Sequence, residues 1–191
     1  MQATFSECGR FRHLIWEVWD GSLPMLAWCL FNPSQAGKIV DGAGIPDPTW
    51  TKGIGFSKRL GYGGQVFSNP FDFISTDPKG LKAAGYPKSE HADRYILDAC
   101  RMGDGKIVCA WGALGRGLSR PQEVLTMIRG AGFAPMALGF TADGLPRHPL
   151  MLAYDTPLVV MHGRPNVVLS GAREEDGEAR RCREASGRKL G

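Results

Sequence analysis

Two asparagines and one histidine stand just past apolar runs, where a side chain can do chemistry instead of filling a core. Residues 25–31, M-L-A-W-C-L-F, stop at Asn32-Pro33-Ser34; residues 65–68 stop at Asn69-Pro70-Phe71; residues 134–140 lead into a loop with Arg147, His148 and Pro149. A carboxamide carries a donor and an acceptor, so it can match the edge of a nucleobase. Phe71 can offer such a base a stacking face, whereas Phe73 reads as readily as a core aromatic. Pro33 and Ser34, adjoining Asn32, join the same candidate base-binding set. His148, flanked by arginine and proline in a loop, does not have the setting of a core histidine. Taken alone, N-P-S is more simply a turn that ends a strand. Its near-repetition, asparagine and proline after a second strand, is the more specific signal.

Between residues 36 and 48 runs a glycine- and proline-rich loop whose only acids are Asp41 and Asp47. Either carboxylate is a candidate to act at the site. Asp47, followed by Pro48-Thr49, equally has the pattern of a helix cap.

These residues need a scaffold that brings separate strand ends to one edge. Residues 25–31 form a continuous apolar run of the kind found in strands buried on both faces of a parallel sheet. In open α/β sheets ligands bind outside the carboxyl ends of such strands, which is where both asparagines fall. The spacing predicts further strands at 10–20, 106–111, 134–140 and 157–161, and helices near 50–60, 76–81, 90–102 and 121–130. Residues 10–20 read as an opening edge strand whose Arg10, Arg12 and His13 form a solvated face. After residue 111 comes G-A-L-G-R-G, and Arg116 and Arg120 there, with Arg147, are candidates for contact with a nucleic-acid backbone.

With 191 residues, 43% hydrophobic and 22% charged, the chain has the composition of one soluble globular domain. We expect that domain over residues 1–169 and a charged tail over 170–191, where apolar periodicity ends. No apolar stretch is long enough to span a bilayer, and the N-terminus lacks the pattern of a signal peptide, so a cytoplasmic protein is expected. The five cysteines are odd in number and widely spaced, with no C-x-x-C pair; neither a disulfide framework nor a metal site is indicated. Cys29 and Cys109, inside apolar runs, read as small buried hydrophobes. A formal charge of +4 is compatible with a nucleic-acid partner without requiring one.

The order F-N-P-S, D-P-T, G-F-S-K-R-L-G-Y-G, S-N-P-F, T-D-P, A-W-G and L-G-F-T-A-D-G-L-P-R-H-P-L resembles the small bacterial and phage family DUF1643, over about residues 6 to 155. More distantly, N-P-S after the first core strand, asparagine after the next and H-P after the last is similar to the uracil-DNA glycosylase superfamily. Two departures stand out: Ser34 replaces the glycine of N-P-G, and Leu150 replaces the serine of H-P-S. The resemblance implies an α/β three-layer sandwich around a mostly parallel sheet of four or five strands. It implies that Asn32 holds the attacking water, Asn69 reads a flipped base and His148 supports the departing base. Cleaving an N-glycosidic bond needs a base out of the stack, an oriented water, and donors where negative charge develops on the base. Asparagine can orient water but cannot take its proton, so Asp41 or Asp47 would complete that role. The reading is therefore a monomeric, cofactor-free and metal-free DNA glycosylase with DNA as its partner and no obligate protein partner. The long loop suggests a modified pyrimidine such as those of phage DNA, and phage defence is one setting for it. The alternative is a non-catalytic reader of modified bases or nucleotides on the same scaffold.

Overall fold

A computed structural model of the chain describes residues 1–34, 39–40, 43–44 and 46–162. Its elements in chain order are β1 (Gln2–Phe5), β2 (Arg12–Val18), β3 (Met25–Cys29), β4 (Ile39–Val40), β5 (Ala43–Gly44), α1 (Pro48–Arg59), β6 (Gly64–Ser68), α2 (Pro78–Ala83), α3 (Ala92–Met102), β7 (Gly103–Cys109), α4 (Arg120–Gly130), β8 (Ala134–Ala137) and β9 (Val159–Val160). Short 3-10 turns occupy Gly112–Gly115 and Pro149–Met151. The proposed tail, residues 170–191, and Asp41 lie outside the described residues.

Among the described residues the main sheet has seven strands, ordered β1-β2-β6-β3-β7-β8-β9. The central strands β6, β3, β7 and β8 run parallel to one another, while β2 and β9 close on them antiparallel. The sheet is thus larger and more mixed than the four or five strands expected, because antiparallel edges extend both sides of the parallel centre. β4 and β5 pair separately as a two-stranded ribbon. Helices cover both faces, which is compatible with a three-layer sandwich.

Side-chain alternation along the strands sorts the core into two faces. Ala27, Cys29, Val66, Ile107, Cys109 and Ala137 pack beneath α3 and α4 with Ile96, Ala99, Val124 and Ile128. Leu26, Trp28, Leu30, Phe67, Val108, Ala110 and Leu138 pack beneath α1 with Trp50 and Phe56. The expected burial of Cys29 and Cys109 is found, with thiol ionisation pushed upward mainly by desolvation. No helix among the described residues is long and apolar enough to cross a membrane.

Helix α1 begins where expected: the Asp47 side chain accepts from the Trp50 amide, and Pro48 occupies the first turn, where a missing N–H costs nothing. It ends at Leu60, and Gly61 takes the left-handed conformation, φ +83°, that turns the chain back toward β6. Close packing on the sheet depends on Gly53, where an added Cβ would stand 2.6 Å from both Gln65 Oε1 and the Phe67 ring.

The opening strand departs from expectation. β2 is not an edge: β1 covers it on one side and β6 on the other. Arg12 and His13, read from sequence as a solvated face, are each only 4% exposed. The cause is a β-bulge. Thr4 pairs with Leu14 and Phe5 with Arg12, so His13 is an extra residue that breaks the alternation. His13 turns to the α3 side, stacking on Tyr95 with ring centroids 4.3 Å apart, and Arg12 is left in electrostatic contact with Asp47 at the start of α1.

Candidate active site at the carboxyl edge of the parallel strands

Chain order and sheet order diverge around β3. From β3 the chain passes through α1 to β6 on one side, then through α2 and α3 to β7 on the other. Connections leaving in opposite directions make β3 a topological switch point, and the carboxyl ends of the strands at such a point are the usual place for a ligand in such sheets. The ladder continues one residue past the strands, with Leu30 N–H donating to Ser68 O at 3.0 Å and Ala110 N–H to Cys29 O at 2.8 Å. Leu30, Phe67 and Ala110 all face α1. Past these strand ends come Asn69, one residue after β6, and Asn32 and Gly112, three residues after β3 and β7, so that three adjacent strands deliver them to the same carboxyl edge.

Each polar group there has a defined state. Asn32 Nδ2 donates to two carbonyls, Pro33 O at 3.0 Å and Ser75 O at 2.8 Å. Both amide hydrogens are used, so what the carboxamide has left to offer is its acceptor, Oδ1. Asn69 is 2% exposed, and its Nδ2 has no hydrogen-bond partner among the described residues. An unsatisfied buried donor costs about 1–3 kcal/mol, which a ligand acceptor would recover.

Asp47 joins helix and site. Its Oδ1 accepts from the Trp50 amide at 2.7 Å and its Oδ2 from Ser34 Oγ at 2.6 Å. The Ser34 bond shows that the chain leaving β3 reaches the start of α1. The same carboxylate opposes, by its charge, the loss of positive charge at both Arg12 and His148. Burial pulls Arg12 down to about 10, against which Asp47 acts, and the guanidinium remains protonated at neutral pH.

His148 lies against Gly112. A Cβ at Gly112, φ +61°, would stand 3.2 Å from His148 Cβ, so glycine in A-W-G lets the chain at His148 approach closely. His148 Nδ1 accepts from the Leu150 amide at 3.3 Å, which places the proton of the neutral ring on Nε2. Desolvation lowers its ionisation below the ordinary histidine value, with Asp47 opposing, so at neutral pH the ring is an uncharged Nε2–H donor. Asn32, Ser34, Asp47 and His148 are all partly open to solvent.

The other sequence candidates fall elsewhere. Phe71 is 4% exposed and packs edge-on against Phe31, with centroids 5.3 Å apart, so it is a core residue and not an open stacking face. Pro33 is buried beside Asn32. Arg120 is also buried: its Nε donates to Pro70 O at 3.1 Å and its Nη2 to Asp93, making it a strut that holds the segment after Asn69. It is not placed for backbone contact, because it is buried and its guanidinium is engaged by Pro70 O and Asp93. Arg116 is exposed and paired with Asp143 at 2.7 Å, linking the loops after β7 and β8; Arg147 is exposed.

A second buried polar group was missed in the sequence. Asp72 Oδ2 accepts from His13 Nδ1 at 2.8 Å and from the Ser89 hydroxyl, while Oδ1 accepts from the Ser89 amide at 2.7 Å. The Arg12 amide donates to Asp72 O at 2.9 Å. This network ties residues 70–75, the segment that follows Asn69 and reaches Asn32 through Ser75 O, to the bulge of β2. The signal available was the acid in N-P-F-D, but nothing local pairs it with residues 17 and 59 positions away.

No curated protein and no solved structure matches the chain. A family model described as "Protein of unknown function (DUF1643)" matches residues 12–150, from the first residue of β2 to the turn after His148, and so takes in every element of the carboxyl edge. The chain belongs to the DUF1643 family.

Proposed function

We infer that the protein is a monofunctional DNA glycosylase that hydrolyses the bond between deoxyribose and a modified pyrimidine turned out of the helix. One observation carries the reading: Asp47 accepts from Ser34 Oγ and acts by its charge on the neutral imidazole of His148, and Asn32, with only its acceptor free, and Asn69, with an orphaned buried donor, leave the adjacent strands β3 and β6 at the same edge. Each matches a requirement of the chemistry. Asn69 Nδ2, buried and without a partner among the described residues, is a donor for a carbonyl of the base, its desolvation already incurred on folding. Asn32 Oδ1 accepts from a water and aims its oxygen at the anomeric carbon. His148 Nε2–H donates where negative charge gathers on the departing base, in a desolvated setting where that bond is strengthened. Asp47 supplies the carboxylate that asparagine cannot.

DNA as the polymer is supported by the rim. Leu150, 41% exposed, and Met151, 89% exposed, follow His148-Pro149, and Leu114 and Phe140 are exposed after β7 and β8. Apolar side chains in such positions wedge into base steps and hold an extruded nucleotide out of the stack. Exposed Arg147 adds positive charge beside them. Helices on both faces of a four-stranded parallel centre also fit the uracil-DNA glycosylase-like fold that the motifs imply.

A non-catalytic reader of modified bases is the second reading, favoured by the fact that both Asp47 oxygens already accept hydrogen bonds. The two part on products. A glycosylase leaves alkali-labile abasic sites, lost in Asn32→Ala with the fold retained, whereas a reader binds in a salt-dependent way and releases no base.

A further inference from the structure

Ser34 follows Asn32-Pro33 beyond β3, and its hydroxyl donates to Asp47 Oδ2 at 2.6 Å. The other oxygen, Oδ1, is engaged by the Trp50 amide that caps α1. Oδ2 is therefore the oxygen placed to take up a proton, and Ser34 is hydrogen-bonded to it. A hydroxyl donates once and has two lone pairs, so a serine pointing its proton at Asp47 presents an acceptor to whatever lies beyond. Asn32, two residues earlier, offers only an acceptor oxygen, which orients water but leaves its proton without a destination.

Resting on the glycosidic hydrolysis inferred above, we propose that Ser34 is a catalytic residue that relays the proton of the attacking water to Asp47. As the water oxygen bonds to the anomeric carbon, its proton passes to Ser34 Oγ while the Ser34 proton passes to Asp47 Oδ2. The electron pair of the broken C–N bond leaves with the base, which accepts the His148 Nε2–H hydrogen bond. Asp47 then holds the proton until it is returned through solvent to the released base. Serine at this position thus converts a capping aspartate into the proton acceptor of the site.

The test is single-turnover base release from whichever of uracil-, 5-hydroxymethyluracil- and 5-hydroxymethylcytosine-containing DNA, or natural hypermodified phage DNA, the wild type cleaves. Ser34→Ala and Ser34→Gly are expected to slow release on the order of 10²-fold, the lower end of general acid–base contributions, with substrate affinity unchanged. Ser34→Ala combined with Asp47→Asn is expected to be no slower than Asp47→Asn alone, since the two act as one unit. The wild-type rate should fall non-linearly with the deuterium fraction of the solvent, as two protons move together, and linearly in Ser34→Ala. Equal rates for wild type and Ser34→Ala, an unchanged deuterium dependence, or a covalent sugar adduct on Ser34 each overturn the relay while leaving the glycosylase reading in place. A wild type that releases no base from any of these DNAs overturns that reading and the relay with it.

Discussion

Replacing Asn69 with leucine is expected to stabilise the protein while removing its ability to read a base. The side chain is 2% exposed and its Nδ2 has no partner among the described residues, so folding strips water from a donor and returns nothing. That loss is about 1–3 kcal/mol. Leucine has the same branching at Cγ, and fitting its slightly larger, non-planar tip costs under about 1.5 kcal/mol. The balance is a gain of about 1 kcal/mol, or roughly 2–4 °C in Tm for a chain of this size. Urea unfolding followed by tryptophan fluorescence reads the difference. Trp28, Trp50 and Trp111 are each at most 1% exposed and report on the core. Asn69→Asp is the control, because an unpaired carboxylate at that site costs several kcal/mol. A destabilised Asn69→Leu, or an Asn69→Asp as stable as wild type, would refute the claim that this amide is held unsatisfied for a ligand.

Asp47→Ala removes the cap of α1 and should cost about 0.5–2 kcal/mol, whereas Asp47→Ser keeps a capping oxygen and should recover most of it; thermal unfolding checks both. His148 ionises less readily in the folded chain than the ordinary 6.5, so the folded state binds fewer protons than the unfolded. Its contribution to stability is complete above that value and is lost as pH falls below it, and Tm against pH should be flatter there in His148→Gln. Arg120→Met should destabilise by about 1–3 kcal/mol by orphaning Pro70 O, yet leave the salt dependence of DNA binding unchanged. Arg147→Ala should do the reverse, lowering the salt slope by about 1 with little effect on stability.

The parts of the site visible in the sequence were those with local signatures. Asn32 and Asn69 follow apolar runs closed by proline, so the strand ends that carry them to the carboxyl edge could be read directly. Asp47-Pro48 is a cap recognisable without neighbours. What escaped was set by distant partners. The bulge at His13 depends on pairing with β1, whose four residues carry no strong strand signal, and without it Arg12 reads as solvated. Arg120 looked like a surface cation beside a glycine-rich turn because its acceptor, Pro70 O, is 50 positions away. Phe71 looked like a stacking face because the two rings that bury it, Phe31 and Tyr86, lie on other segments. In each case the residue type was informative and the missing quantity was a partner distant in the chain.

The central claim is that the carboxyl-edge cluster breaks a glycosidic bond, and mass spectrometry of small molecules released from DNAs carrying different modified pyrimidines tests it most directly. The account predicts free modified base from at least one DNA, an equal number of abasic sites in the strand, and neither product from the stably folded Asn69→Leu or Asn32→Ala. Intact DNA throughout the panel, or undiminished release by those two variants, would contradict it.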